Sequence, residues 1–153
     1  MSPFLFPSSN TQFYMNLLEA LQDLRQGYYT EFIRVKSYEG LNSSGSLKVE
    51  GTVPNLEGKD VIIVEDILDT GTTLSHLIPL LEKEARAKTI QVCSLLIKRI
   101  KEPQKVTAKY IGFSIPPEFV VGYGLDYNEL YRDIRDVWII SQMGIDCDRN
   151  DFP

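Results

Sequence analysis

Val61-Ile62-Ile63-Val64-Glu65-Asp66-Ile67-Leu68-Asp69-Thr70-Gly71-Thr72-Thr73 is the stretch that decides the fold. Its four leading apolar residues read as a strand buried on both faces, the pattern of a parallel sheet covered by helices. The run stops at two adjacent carboxylates, Glu65 and Asp66, with a third, Asp69, three residues on. A small hydroxyl-rich turn follows, and then Leu74, Leu77, Ile78 and Leu81 at helical spacing. Strand, acids, small polar loop and helix together suit the binding of a sugar phosphate at the carboxyl edge of an α/β sheet.

Each part has a physical role. A helix N-terminus carries unpaired N–H groups and a partial positive charge, so it attracts phosphate. Gly71 allows close backbone approach, and Thr70, Thr72 and Thr73 add hydroxyls. Repulsion keeps carboxylates off that phosphate, which leaves ribose hydroxyls or a hydrated Mg²⁺ for Glu65 and Asp66. Asp69, at the turn, is placed to accept a proton from a bound group. The plainer alternative is a buried strand, a solvated acidic turn and a threonine N-cap. The completeness of the pattern weighs against it.

Glu65 through Thr73 resembles the 5-phosphoribosyl-1-pyrophosphate (PRPP) motif of type I phosphoribosyltransferases, and most of all their hypoxanthine-guanine branch. The resemblance implies that Glu65 and Asp66 hold the ribose hydroxyls and that Thr70, Gly71, Thr72 and Thr73 bind the 5′-phosphate. It makes Asp69 the proton acceptor near purine N7. Thr72 is a departure, because many relatives carry Lys or another residue there; the loop then binds phosphate with one charge fewer.

Two later segments point to the same branch. Ile90 to Lys98 reads as a second buried strand ending in a cation, and its Leu95-Leu96-Ile97-Lys98 is similar to the family's Leu-Leu-x-Lys. There the ammonium hydrogen-bonds the purine 6-oxygen and so selects oxopurines over adenine. Phe119 to Glu129 resembles the purine-binding segment. Phe119 then stacks on the base, backbone groups of Val120 meet the purine edge, and Asp126 helps to hold Mg²⁺ and approaches the 2-position. Arg132 matches a pyrophosphate-binding arginine. The implied metal ligands are Asp126, Glu65 and Asp66.

Before the motif, Thr30 to Tyr38 and Ser46 to Glu50 alternate with period two around a segment rich in Gly, Ser and Asn, which predicts a hairpin. Ser37-Tyr38 resembles the family's Ser-Tyr pair on a loop that closes over the reacting complex and excludes water. Phe13, Leu17, Leu18, Leu21 and Leu24 predict a helix between Ser8-Ser9-Asn10 and Gly27. The motif helix is expected to run to about Arg86 with a kink at Pro79. Strands are expected near 90–98, 109–115, 119–123 and 137–141, and a frayed tail over 146–153. His76, the only histidine, falls on the polar side of the motif helix and reads as a surface residue.

The 153 residues fit one domain with a real core. A net charge of −5 disfavours a nucleic-acid binder. Cys93 and Cys147 read as reduced thiols, no apolar stretch approaches a membrane span, and Met1 to Asn10 lacks a basic n-region, so the expected location is cytoplasmic.

The family places a buried strand ending in a Leu-Lys-Gly-Gly type loop, which binds pyrophosphate, ahead of the first helix. Met1 to Asn10 does not match it. The expectation is therefore a partial type I phosphoribosyltransferase fold: a mostly parallel sheet flanked by helices, with a hairpin loop, lacking that strand and the pyrophosphate loop. The implied activity is purine salvage, giving IMP or GMP from PRPP and hypoxanthine or guanine with Mg²⁺, by a homo-oligomer. The alternative is a non-catalytic relative that binds nucleotide or a full-length subunit. A kinase or dehydrogenase is disfavoured by the lack of Gly-x-x-x-x-Gly-Lys-Ser/Thr and Gly-x-Gly-x-x-Gly.

Overall fold

Strand β5, Asp60–Leu68, is the axis of a five-stranded parallel sheet in a computed structural model that describes residues 4–7, 11–24, 27–32, 34–37, 47–50 and 54–147. Its neighbours are β1 (Phe4–Pro7) and β6 (Thr89–Lys98). Beyond them lie β2 (Tyr29–Thr30) and β7 (Tyr110–Ile115), giving the order β2-β1-β5-β6-β7.

Both faces of β5 are covered, as its unbroken apolar run requires. Val61 and Ile63 pack on α2 (Thr72–Lys83) through Leu74, Leu77 and Leu81. Ile62 and Val64 pack on the opposite side with Tyr14, Leu17 and Leu18 of α1 (Thr11–Leu21). The period-two alternation of a strand thus sends adjacent residues to two different helices. A 3-10 turn, Gln22–Leu24, extends α1, and α2 runs through Pro79 for four more residues. It ends at Lys83 rather than near Arg86, and Arg86 adopts a positive φ of 56° just beyond.

The strand expected to be absent is present. Phe4–Pro7 pairs parallel with both β2 and β5, in the register Leu5↔Thr30 and Leu5↔Ile62, and Leu5 is 2% exposed. Three apolar residues between two prolines are too few to show a period, and proline argues against a central strand. The ladder tolerates Pro7 because it is the last residue of the strand. The pyrophosphate-loop position, residues 8–10, lies outside the described residues.

Thr30 belongs to β2 in the main sheet and not to the hairpin. The hairpin proper is β3 (Arg34–Ser37) with β4 (Leu47–Glu50), pairing Ser37↔Leu47 and Arg34↔Glu50. Tyr38 and the loop tip lie outside the described residues. Two short strands, β8 (Val120–Val121) and β9 (Trp138–Ile139), pair antiparallel apart from the main sheet, and α3 (Gln142–Asp146) follows. Of the expected frayed tail, 148–153 is outside the described residues. Among the described residues no helix is long and apolar enough to cross a membrane, and Cys93 and Cys147 are unpaired thiols.

In this strand order the chain leaves β1 toward one edge and β5 toward the other. The carboxyl ends of β1 and β5 therefore flank a topological switch point, where open α/β sheets bind ligands.

Candidate active site

Beyond the carboxyl end of β5 the chain turns through Asp69 and Thr70 and enters α2 at Gly71, which takes the left-handed conformation at φ 75°. Ser75 N–H closes the first helical bond on Gly71 C=O at 2.9 Å, so the amides ahead of it lack intrahelical acceptors. Thr70 Oγ1 lies 3.0 Å from Thr72 Oγ1 and accepts weakly from Thr72 N–H at 3.4 Å. Residues 65–74 and Leu77 line a cavity of about 350 Å³. Loop amides, a helix dipole and threonine hydroxyls converge there, which suits an anion.

Glu65 and Asp66 are buried at the end of β5, with 9% and 8% of their surface exposed. Asp66 Oδ1 accepts from Ile67 N–H at 2.7 Å, which fixes that carboxylate beside its own backbone. Buried carboxylates need hydrogen-bond donors, and ribose hydroxyls would be further ones.

Asp69 and Lys98 meet across adjacent strands. Lys98 Nζ donates to Asp69 Oδ2 at 2.9 Å; its side chain is 12% exposed, and that of Asp69 48%. The same ammonium lies 5.6 Å from the ring centroid of Phe119. Phe119 is half exposed and meets the edge of Tyr127 at 5.3 Å with the rings 88° apart. A cation, a carboxylate and an open aromatic face thus border one space next to the phosphate-type loop. A planar ligand with an acceptor and a donor side by side would satisfy Lys98 and Asp69 together. Val120 begins β8 beside Phe119, whose C=O accepts from Ile140 N–H at 3.0 Å.

Asp126 and Arg132 form a second group. Arg132 Nη2 contacts Asp126 Oδ1 at 2.8 Å, and its Nη1 donates to Gly124 C=O at 2.8 Å. Asp126 Oδ2 accepts from Glu129 N–H at 2.8 Å. The backbone here is unusual: Tyr123, Asn128, Glu129 and Tyr131 all have positive φ. Asn128 and Glu129, both left-handed, form the tight turn that Leu130 N–H closes on Tyr127 C=O. Left-handed non-glycine residues are costly and concentrate at ligand sites. Arg132 is therefore turned to Asp126 rather than to the motif loop. Ser37 ends β3, and Tyr38 is outside the described residues. His76 is on the surface, as expected, with Nδ1 2.8 Å from Thr72 C=O.

Sequence reading missed the segment after β6. Lys105 N–H donates to Thr70 C=O at 2.9 Å, and Gln104 Nε2 donates to Lys98 C=O at 2.6 Å. This segment touches the motif loop at Thr70 and Gly71, and no period or motif announces it. It also missed Asn16, whose amide donates to Tyr123 OH at 2.5 Å and ties α1 to the Phe119 segment.

Comparison with known proteins identifies the family. The family model described as "Phosphoribosyl transferase domain" matches residues 12–128. A hypoxanthine-guanine phosphoribosyltransferase of Canis lupus familiaris is 42% identical over 141 residues, which cover 87% of this chain and 64% of that protein. The chain thus spans about 64% of the length of the curated relatives it matches. A Trypanosoma cruzi hypoxanthine phosphoribosyltransferase, solved as a ternary complex with substrates, is 36% identical at a TM-score of 0.82. That match covers 94% of this chain and 79% of the other. The Trypanosoma cruzi enzyme in complex with IMP gives a TM-score of 0.79 at 36% identity, over 94% and 78% of the two chains.

Proposed function

This chain belongs to the phosphoribosyltransferase family, on its hypoxanthine-guanine branch, and on that premise we propose that it transfers the 5-phosphoribosyl group of PRPP to hypoxanthine or guanine, releasing IMP or GMP and pyrophosphate. The observation that carries the reading is the Lys98–Asp69 pair, 2.9 Å apart beside the Thr70–Thr73 loop at the switch point. An N7-protonated 6-oxopurine presents its 6-oxygen and N7–H side by side. Lys98 donates to the oxygen, and Asp69 accepts the N7 proton as N9 bonds to ribose C1 and pyrophosphate departs. Adenine would set its 6-amino donor against the ammonium and lose that bond.

The other residues bind and orient. The amides and hydroxyls of Thr70 to Thr73 take the 5′-phosphate, and Glu65 and Asp66 take the ribose hydroxyls. Phe119 stacks on the base and Val120 meets its edge. Arg132 is 51% exposed and can exchange Asp126 for pyrophosphate. The hairpin carrying Ser37 and Tyr38 closes over the reacting groups and keeps water from the activated ribosyl carbon.

Among the described residues no cluster of three or more His, Cys, Asp or Glu side chains forms a metal cage. Mg²⁺ keeps several waters and binds through one or two carboxylates plus substrate phosphates. Asp126, Glu65 and Asp66 are the carboxylates that would hold it, and when bound it offsets charge on the leaving pyrophosphate. We assign the activity to the cytoplasm and to a homo-oligomer; exposed Phe113, Trp138 and Ile139 around a groove of about 790 Å³ support association.

A second reading rests on one observation. Ser8-Ser9-Asn10 follows β1 in the sequence, where the family's Leu-Lys-Gly-Gly loop binds pyrophosphate, which favours a nucleotide-binding relative without turnover. The test is product formation with Mg²⁺, PRPP and hypoxanthine or guanine. Turnover that falls by about 10²–10⁴-fold in Asp69→Asn supports the enzyme. A folded chain that binds GMP but forms no product supports the second reading.

A further inference from the structure

The Thr70–Thr73 loop carries no formal positive charge, yet the group assigned to it is a phosphate with about −1.5 to −2 charge near neutral pH. Helix-terminal amides supply only about half a unit of positive charge. We propose that Lys105, from the loop between β6 and β7, supplies the missing cation and is a phosphate-binding residue of this chain. The inference rests on the reading above, because it takes the loop to be a 5′-phosphate site.

The backbone of Lys105 is docked on that loop. Its N–H donates to Thr70 C=O at 2.9 Å, and a methyl group on Gly71 would lie 3.5 Å from Lys105 N and 3.2 Å from Val106 N. A side chain at Gly71 would crowd the backbone of Val106, so glycine suits the place where the two loops meet. From that anchor, the flexible four-carbon stem of lysine puts the ammonium within reach of an anion on the loop. Lys105 is exposed, and no hydrogen bond or ion pair to a described residue holds its side chain.

Three other cations of this region are already engaged. Lys98 is paired with Asp69, and Arg99 Nη1 donates to Ser114 C=O at 2.7 Å. Arg132 is bound to Asp126 and Gly124. A lysine suits this position because phosphate binding by a compact, rotatable ammonium does not require planar geometry. Thr72, which many relatives replace with Lys, and Lys105 would then be two placements of one charge.

The test is calorimetric affinity for GMP and for guanosine, measured on the intact chain, on Lys105→Met and on Lys105→Met with Thr72→Lys. The expected result is a GMP affinity about three- to tenfold weaker in Lys105→Met, the range for an exposed to partly exposed charge contact, with guanosine unchanged. The slope of log affinity against log salt becomes shallower, and Thr72→Lys restores GMP binding. Unchanged GMP affinity in Lys105→Met overturns the proposal. So does equal weakening of GMP and guanosine, which would mean that Lys105 only shapes the loop. No recovery in the double variant, or an intact chain that prefers neither ligand, overturns it as well. GMP binding that depends on Lys105 in a chain without turnover refutes the proposed reaction and leaves the phosphate site standing.

Discussion

A Gly71→Ala substitution opposes two features of the motif loop at once. The residue holds φ 75°, where a Cβ costs about 1–2 kcal/mol. The new carbon would also lie 3.2 Å from Val106 N, 3.4 Å from Leu68 Cδ1 and 3.5 Å from Lys105 N. Only the Val106 contact is clearly tighter than ordinary packing, but it is to backbone that cannot rotate away, and overpacking of this kind costs about 1–3 kcal/mol. The expected total is therefore about 2–5 kcal/mol. Gly58 is the internal control: it holds a similar φ of 70° and has nothing within 4 Å of an added Cβ. Gly58→Ala should show the conformational term alone. Thermal or urea melts of the two variants then isolate the contact between loops. At about 2–4 °C per kcal/mol for a chain of this size, Gly71→Ala should melt several degrees below Gly58→Ala. Two variants melting together would show that the 105–106 segment yields freely. Lys105 would then lose its anchor beside the loop.

Other expectations concern the core and its titrating groups. Leu81 is fully buried between α2 and the sheet, so Leu81→Ala should cost about 2–5 kcal/mol in urea unfolding, with the spread set by how far the site collapses. Burial lifts the Cys93 thiol above its ordinary 9.0, and burial lifts the Tyr14 phenol above 10.0 against the opposing hydrogen bond to Thr30. In both cases the fold holds the protonated group. The associated stability is complete below the unfolded values and is lost as pH climbs through the folded ones. Melting temperature should thus decline in alkaline buffer, first from Cys93 and then from Tyr14, and Tyr14→Phe should flatten the second part. The Cys93 thiol should also resist alkylation near neutral pH.

What the sequence made legible was local. The β5 run, its acids and the α2 heptad-like spacing are contiguous, and each carries its own period, so the order of strand, loop and helix could be read, although β5 continues past Val64 to Leu68 and α2 stops at Lys83. Lys98 and Phe119 were legible only through resemblance, since nothing in their own spacing brings them to Asp69. Strand β1 was not legible, because Phe4–Pro7 is stabilised by pairing on both sides and not by any pattern of its own. For the same reason Thr30 was read into a hairpin: Tyr29–Thr30 continues the alternation of residues 31–38, but its partner is β1. The docking of Lys105 on Thr70 is a backbone hydrogen bond between residues far apart in the chain, and such bonds leave no trace in side-chain periodicity.

The ladder between β5 and β6 explains how two distant residues form one chemical unit. The register ends with Ile67↔Leu96 and Leu68↔Ile97, so the next step sets Asp69 beside Lys98. Their 2.9 Å contact is therefore a consequence of strand register and not of a flexible reach. A slip of one residue would turn the apolar set of β6 to the opposite face and separate the pair, and core packing forbids it. Val92 in β6 and Val61 and Ile63 in β5 lock that register from the α2 side. On the other flank, β1 pairs with Val61 to Val64 and fixes β5 where its acids emerge. The least readable strand of the sheet thus braces the strand whose end carries the proposed chemistry, and the site depends on a stretch of sequence that carries none of its functional residues.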